Sequence, residues 1–447
     1  MWSKVHVYLG MLTMICSAAL VFSSSVPFQP STALADVNVR YHLIPGVKLN
    51  AKPLSQAAKN TVLKQQTPPR HQPPHESGTS KTSSFENRQK SANAASWEPH
   101  CVDPVRVSFF GDYWVPPHGP AAQLKNSLFD NLIPLLNWGD FNVANFEGSI
   151  TNQTKRAFPK FPFALKQAPE SLEWLSAAGV KHFFRANNHA MDFGWVGAQD
   201  TNSQMVKAKV SYAGIGGDIH AALKPMWLEK NGIKIAVFSI TTTYPAEAWA
   251  GEKRAGVAYP AANAMRVAIE KARAEADFIV VGFHWGEELK PTVKSHQTEY
   301  AQLALKAGAD FVVGHHAHLA QKIETTRNDE MIVYGVGNFI FSSLSRDAKF
   351  ALGAHAEFCR SDVADETGST HHYRLVFTPL TTYNRVTGYR SRPMVLSEFL
   401  PFAGEYLKKG YFPSELEFYI PAENQVRTLS EWLQAGPQAS KEGRIVN

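Results

Sequence analysis

Three histidines, His315, His316 and His318, close the apolar run FVVGHHAH (311–318). His316 and His318 stand two apart, so an extended backbone carries both imidazoles to one side and turns His315 to the other. Other apolar runs end in the same chemistry. RVSFFGD ends at Asp112, FNVANFEG at Asn145 and Glu147, and HFFRANNHAMDFG at Asn187, Asn188, His189 and Asp192. FIVVGFHWGEE ends at His284, Glu287 and Glu288, and VYGVGNF at Asn338. Carboxylate, imidazole and amide oxygen are together the donors that bind Mn, Fe or Zn, and cysteine is absent from the set. Each residue alone has a plainer reading. Asp112 after a glycine suits a turn or helix cap, Asn187–Asn188 a left-handed turn, and His284 a hydrogen-bonded core histidine. Six run-ends carrying one donor set point instead to a centre for one or two divalent ions, with His315 in support.

Elements must bring those residues together. Candidate strands are 105–111, 141–146, 181–186, 233–240, 278–285, 311–315 and 331–341, short β-branched runs of the kind that are covered on both faces. Helix-like windows lie between them: PESLEWLSAAG stopping at Gly179, PAANAMRVAIEKARAEAD opening near Pro260, and HQTEYAQLALKAG stopping at Gly308. Strand and helix alternating in this way indicate an α/β fold, in which ligands gather outside the carboxyl ends of the strands. Beyond Phe341 the pattern breaks. HHYRLVFTPLTTY offers one or two further strands, with His371 and His372 at an exposed strand start, and LSEFLPFAGEYLKKG offers a helix.

The formal charge of +6 over 447 residues is unevenly spread. Residues 36–98 hold nine basic side chains against Asp36, Glu76, Glu86 and Glu98, a net +5, and Lys4 supplies the rest. Residues 99–447 therefore balance at zero, which gives no support for nucleic-acid binding. The first 35 residues read as an export signal, with Lys4 ahead of the apolar VYLGMLTMICSAALVF and a small-x-small ALA at Ala33–Ala35. It is either cleaved or retained as a short anchor, and is the chain's only expected contact with a membrane. Residues 36–98, rich in Pro, Gln, Ser, Lys and Asn, read as a disordered basic linker. A globular domain is expected over 99–345, followed by an extension, 346–447, that completes the domain or is appended to it. Cys101 and Cys359 are the cysteines left beyond the leader; they either pair or stay as buried thiols.

The motifs GD, NFEGSIT, ANNHAMDFG, GFHWGEE, GADFVVGHHAH and YGVGNFIF, in that order from Val105 to Phe341, resemble the poly-γ-glutamate capsule-synthesis family of the CapA type. That family is related to the calcineurin-like metallophosphoesterases. The resemblance implies a two-sheet β sandwich flanked by helices, a four-layer αββα arrangement. It implies metal ligands at Asp112, Glu147, Asn188, His284, His316 and His318. It also implies a proton-donating or substrate-holding role for His189, oriented by Asp192. Asn145, Asn187, Glu287, His315 and Asn338 are expected in support. Two positions depart from the phosphoesterase pattern. Asp112 is followed by Tyr113 and Trp114 where Asp-x-His is usual, leaving His118 as a distant substitute, and Asn145 stands ahead of Glu147 where an aspartate is usual. The implied function is an exported metal-dependent hydrolase acting on an extracytoplasmic phosphoester or on a γ-glutamyl or cell-wall polymer. It would be periplasmic or otherwise outside the cytoplasm, within a cell-envelope polymer-synthesis complex. The competing readings are a non-catalytic component that binds or exports an anionic capsule polymer, and a degenerate site that carries no metal.

Overall fold

The computed structural model describes residues 101–436 apart from residues 102, 262, 327–329, 362–363 and 365–368. The chain divides into two units, 1–83 and 84–447, and every described residue falls in the second. The expected leader and linker lie outside the described residues. Among the described residues no helix is long and apolar enough to cross a membrane.

The chain first lays down four parallel neighbours: β1 (Val105–Trp114), β2 (Phe141–Phe146), β3 (His182–Phe184) and β4 (Ser211–Ala213). A short strand, β5 (Ile215–Gly216), leads out of this group, and β6 (Met226–Lys230) and β7 (Ile233–Thr241) open a second sheet. After β8 (Gly256–Val257), which pairs with β5, the second sheet gains β9 (Phe278–His284), β10 (Phe311–His315), β11 (Ile323–Thr325) and β12 (Met331–Val333). Its order is β11-β12-β10-β9-β7-β6. The chain then returns to the first sheet. β13 (Asn338–Phe341) pairs with the end of β1 on the side away from β2, and on that same side β14 (Phe350–Arg360) pairs with the start of β1 and forms a long antiparallel pair with β15 (His371–Thr381). β16 (Arg392–Pro393), β17 (Glu417–Ile420) and β18 (Gln425–Thr428) finish a ten-stranded sheet.

Alternation along the strands explains the layering. Val107 and Phe109 of β1 point inward and meet Val237, Val280 and Val313 of the second sheet in one buried core. The opposite faces of β7 and β9 pack under the helices Ala264–Arg273 and Ser295–Lys306 through Ile240, Val281, Ile269 and Ala304. On the outer side of the first sheet, Phe110, Phe146 and Phe183 pack under Leu128, Leu135 and the helix Ser171–Ala177. The result is a two-sheet sandwich with helices on both outer faces, the αββα order. Residues after 346 are part of it, because β14 hydrogen-bonds directly to β1.

Two expectations need correction. The run 331–341 is not one strand but two, β12 in one sheet and β13 in the other. Gly337, at φ 80°, makes the crossing, and its carbonyl lies against Gly111, where a Cβ would fall 1.7 Å from that oxygen. The helix expected from Pro260 begins at Ala264. Cys101 and Cys359 form a disulfide with Cα atoms 5.6 Å apart, joining the chain just ahead of β1 to the end of β14.

Candidate metal centre

A bulge aims Asp112. The β1–β2 register runs Phe110 opposite Ala144, then Asp112 opposite Asn145, so Gly111 is an extra residue in β1. On its other side Asp112 is in register with Asn338 of β13. In the second sheet His284 ends β9 directly opposite His315, the last residue of β10. Both continue the inward-facing series Phe278–Val280 and Phe311–Val313, so both face the first sheet. The ends of the two sheets thus meet over one small volume.

The backbone beyond His315 is not extended. His316 and His318 both have positive φ, 85° and 58°. The simple i,i+2 argument therefore does not hold; a left-handed turn brings the two rings to the cluster, with centroids 6.3 Å apart. His316 Nδ1 lies 3.1 Å from His284 Nε2, and its backbone N–H donates to Asp112 Oδ2 at 3.2 Å. His318 Nδ1 lies 3.1 Å from Asp112 Oδ2 and 2.9 Å from Asn338 Oδ1. Asn188 Oδ1 is 2.8 Å from His284 Nε2. Ligand atoms of Asp112, Glu147 and His284 lie within 4.8 Å of one another, a spacing that could hold a metal ion.

Two asparagines brace this set. Asn145 Nδ2 donates to Asp112 Oδ1 at 2.8 Å and lies 3.3 Å from both Glu147 Oε2 and His284 Nδ1. Asn187 donates to Asn145 Oδ1 at 3.1 Å and to the Phe146 carbonyl at 2.9 Å, while its own Oδ1 accepts the His189 N–H. His189 Nδ1 lies 2.7 Å from Asp192 Oδ2, and its Nε2 reaches to 3.9 Å from Glu147 Oε1. That pair forms within a turn; the helix begins only at Gly194. His315 lies behind the cluster, between the two sheets, against Phe184 and 3.4 Å from the Phe110 carbonyl.

The charges do not balance internally. Asp112 and Glu147 are 0% and 1% exposed. Burial, joined by the neighbouring charge of Asp112, pushes the Glu147 carboxyl well above its usual range. Burial would also raise Asp112, but the bond and charge of His318 outweigh it and hold that carboxyl low. His318 is itself driven down by burial and then lifted to about 9 by Asp112 and Glu147. Burial holds His284 well below its usual value and His316 down to about 3, so both rings are neutral and have lone pairs to give. Glu147 Oε1 is buried with no hydrogen-bond partner among the described residues. Two buried carboxylates, neutral imidazoles and an orphaned carboxylate oxygen fit a bound cation. His189 and His318, with side chains 14% and 11% exposed, mark the opening to solvent.

Not every expected residue joins the cluster. Glu287 is exposed, and its carboxylate pairs with Lys294 at 2.7 Å, so the solvated lysine takes it away from the centre. Its neighbour Glu288 is the one close enough to act on Glu147 and His318. His118 is an exposed loop residue. Gln167 had no signal in the sequence. It is buried, donates to the carbonyls of Tyr113 and Glu147 at 2.9 and 2.7 Å, and accepts from Val115 N–H at 3.0 Å, locking the Glu147 turn to the end of β1.

Known proteins resemble this chain over part of its length. Over 244 residues the chain is 32% identical to the PGA biosynthesis protein CapA of Bacillus subtilis (strain 168), covering 54% of this chain and 64% of that protein. It is 29% identical over 220 residues to the capsule biosynthesis protein CapA of Bacillus anthracis, covering 48% of this chain and 53% of the relative. The chain thus spans between about half and two thirds of the length of these relatives. Among solved structures, the calcineurin-like phosphoesterase YfkN from Bacillus subtilis overlaps 61% of this chain and 91% of its own, at 13% identity and a TM-score of 0.38. Residues 106–343, more than half of the 447, match the family described as bacterial capsule synthesis protein PGA_cap. From Asp112 to Asn338 the whole cluster lies inside that match, and the chain belongs to the PGA_cap capsule synthesis family.

Proposed function

We propose that this chain is an exported, metal-dependent hydrolase that cleaves a phosphoester, or an amide bond of a γ-glutamyl or cell-wall polymer, outside the cytoplasm. Asp112, Glu147, Asn188, His284, His316 and His318 would hold one or two divalent ions. The observation that carries the reading is the pairing of an orphaned, buried Glu147 oxygen with His189 Nε2 at 3.9 Å, at the open side of a cation-binding cluster. A divalent ion bound there supplies positive charge that polarises the scissile group and acidifies water.

The chain's own residues supply the rest. Asp192 Oδ2 accepts a hydrogen bond from His189 Nδ1–H, which fixes the ring and leaves Nε2 facing the cluster. From that position a protonated His189 gives its Nε2 proton to the leaving atom, and Asp192 stabilises the imidazolium beforehand. Asn145 and Asn187 hold the two carboxylates and the His189 turn in register, so that little reorganisation accompanies the reaction. The Cys101–Cys359 disulfide supports a location in an oxidising compartment, and the family supports a place in a cell-envelope polymer-synthesis complex.

A second reading, non-catalytic binding or export of an anionic polymer, is favoured by the net +5 of residues 36–98. One experiment separates them. The full chain is purified, its metal content measured, and phosphodiester and γ-glutamyl substrates assayed with wild type and His316→Ala. Bound metal with turnover that His316→Ala loses supports the hydrolase. Bound metal without turnover of any substrate favours the binding role, and metal-free protein after exposure to Mn, Fe and Zn removes both metal readings.

A further inference from the structure

Residues 155–166 form a flap tied at two points to one residue. Ala157 N–H donates to the Asp192 carbonyl at 2.8 Å, and Leu165 N–H donates to Asp192 Oδ2 at 2.6 Å. That same Oδ2 holds His189 Nδ1. The flap is therefore anchored on the same carboxylate oxygen that holds His189.

Its surface is basic and aromatic together. Residues 151–166 carry Lys155, Arg156, Lys160 and Lys166 and no Asp or Glu. Arg156 and Lys166 are committed locally. The Arg156 guanidinium donates to the Phe161 carbonyl, and Lys166 Nζ sits 4.9 Å above the Phe193 ring. Lys155 and Lys160 are exposed, and neither has an ion-pair partner among the described residues. Phe158 packs inward against the core under the second sheet's helices, while Phe161 and Phe163 stay 41% and 65% exposed. Exposed phenylalanines at a loop tip are costly to leave in water and mark a contact surface.

We propose that this flap is the docking strip for a polycarboxylate chain, which it presents lengthwise to His189. Lys155 and Lys160 neutralise successive carboxylates, and Phe161 and Phe163 pack on the methylene groups between them. The proposal rests on the reading of the chain as one that acts on an anionic polymer. An anionic bilayer is the competing occupant. Glu288, exposed and close enough to act on Glu147 and His318, opposes it, because a flat anionic surface covering the flap would also meet it.

The test uses the full chain and a fluorescein-labelled poly-glutamate, with phosphatidylglycerol vesicles as a second probe. Wild type should bind the polymer, more weakly as salt rises. Lys155→Glu with Lys160→Glu should weaken binding by about tenfold or more. Phe161→Ser with Phe163→Ser should weaken it while leaving the salt dependence in place. Lys306→Glu with Lys408→Glu, the same change of charge on exposed helix positions elsewhere, should bind as wild type does. Unchanged Tm in the flap variants shows that they fold. No polymer binding by wild type, wild-type affinity in the lysine variant, or loss of vesicle binding without loss of polymer binding would each overturn the proposal. Binding is read with and without chelator. Polymer binding with no turnover of any substrate removes the hydrolase but keeps the flap. Turnover with polymer affinity indifferent to the flap does the reverse.

Discussion

Asn338 Oδ1 lies 2.9 Å from Nδ1 of His318, and so ties the start of β13 to the turn that follows β10. One strand belongs to each sheet, so this bond crosses the sandwich at the cluster itself. It gives the GNF element a physical role: an amide oxygen fixes which His318 nitrogen is turned inward and which outward. Asn338→Leu keeps the volume and removes the acceptor. Metal affinity should fall by about 10- to 100-fold, read by competition against a chelating dye, while Asn338→Asp should keep most of it.

Glu147→Gln should act in opposite directions with and without metal. In chelator the wild-type carboxylate is raised by burial and by Asp112, so its ionised form opposes folding at neutral pH. The sign follows. A raised acid penalises the fold above its unfolded value of 4.5, increasingly as pH climbs towards the folded value. The metal-free variant should therefore be the more stable at pH 7, by about 1–2 kcal/mol. With Mn or Zn at about 100 times its Kd, wild type should gain about 2.7 kcal/mol, and the variant much less. Thermal unfolding in the two conditions decides it.

Asp192→Asn should lower kcat for any hydrolysed substrate by about 100-fold, with little change in metal content. The asparagine oxygen still accepts Leu165 N–H, so the flap stays seated, while His189 loses its anionic partner. A shifted alkaline limb in the kcat–pH profile, the limb on which a general acid loses its proton, distinguishes lost proton transfer from a general loss of structure.

His355 offers a pH test remote from the metal residues. It is buried between Ser108 Oγ, 2.9 Å from Nδ1, and Thr378 Oγ1, 3.1 Å from Nε2, with Trp138 across its ring. Burial lowers it from 6.5 to about 4. Between those values the unfolded chain binds a proton that the folded one refuses, so stability falls as pH drops from 6.5 and levels off below about 4. The total is at most about 3 kcal/mol. His355→Gln should be less stable than wild type at pH 7, and the gap should narrow by up to that amount at pH 4. Denaturant midpoints across the range measure it.

The sequence made the strand ends legible because apolar runs and the polar residues after them are local features. The runs 141–146 and 311–315 coincide with β2 and β10, and the donors at their ends meet in space. What local pattern could not carry is the distribution of strands between two sheets. Residues 331–341 look continuous, yet they change sheets at a glycine pair whose partner, Gly111, is distant in sequence. Glu287 and Glu288 are equivalent in sequence, yet in the fold Lys294 pairs with the first. Gln167 is a lone buried amide whose bonds all go to backbone brought in by folding. The family resemblance supplied the two-sheet architecture that periodicity alone did not.

The disulfide has a mechanical consequence. Val105 is in register with Phe358, so Cys101–Cys359 sits at the end of β1 opposite Asp112, with roughly 20 Å of strand between. A pull on the chain ahead of Cys101 would load a covalent bond at the edge of β14 before it could peel β1 from its neighbours. The geometry at the Asp112 end of the strand is thereby insulated from tension on the preceding chain, as a clamped cable protects its connector.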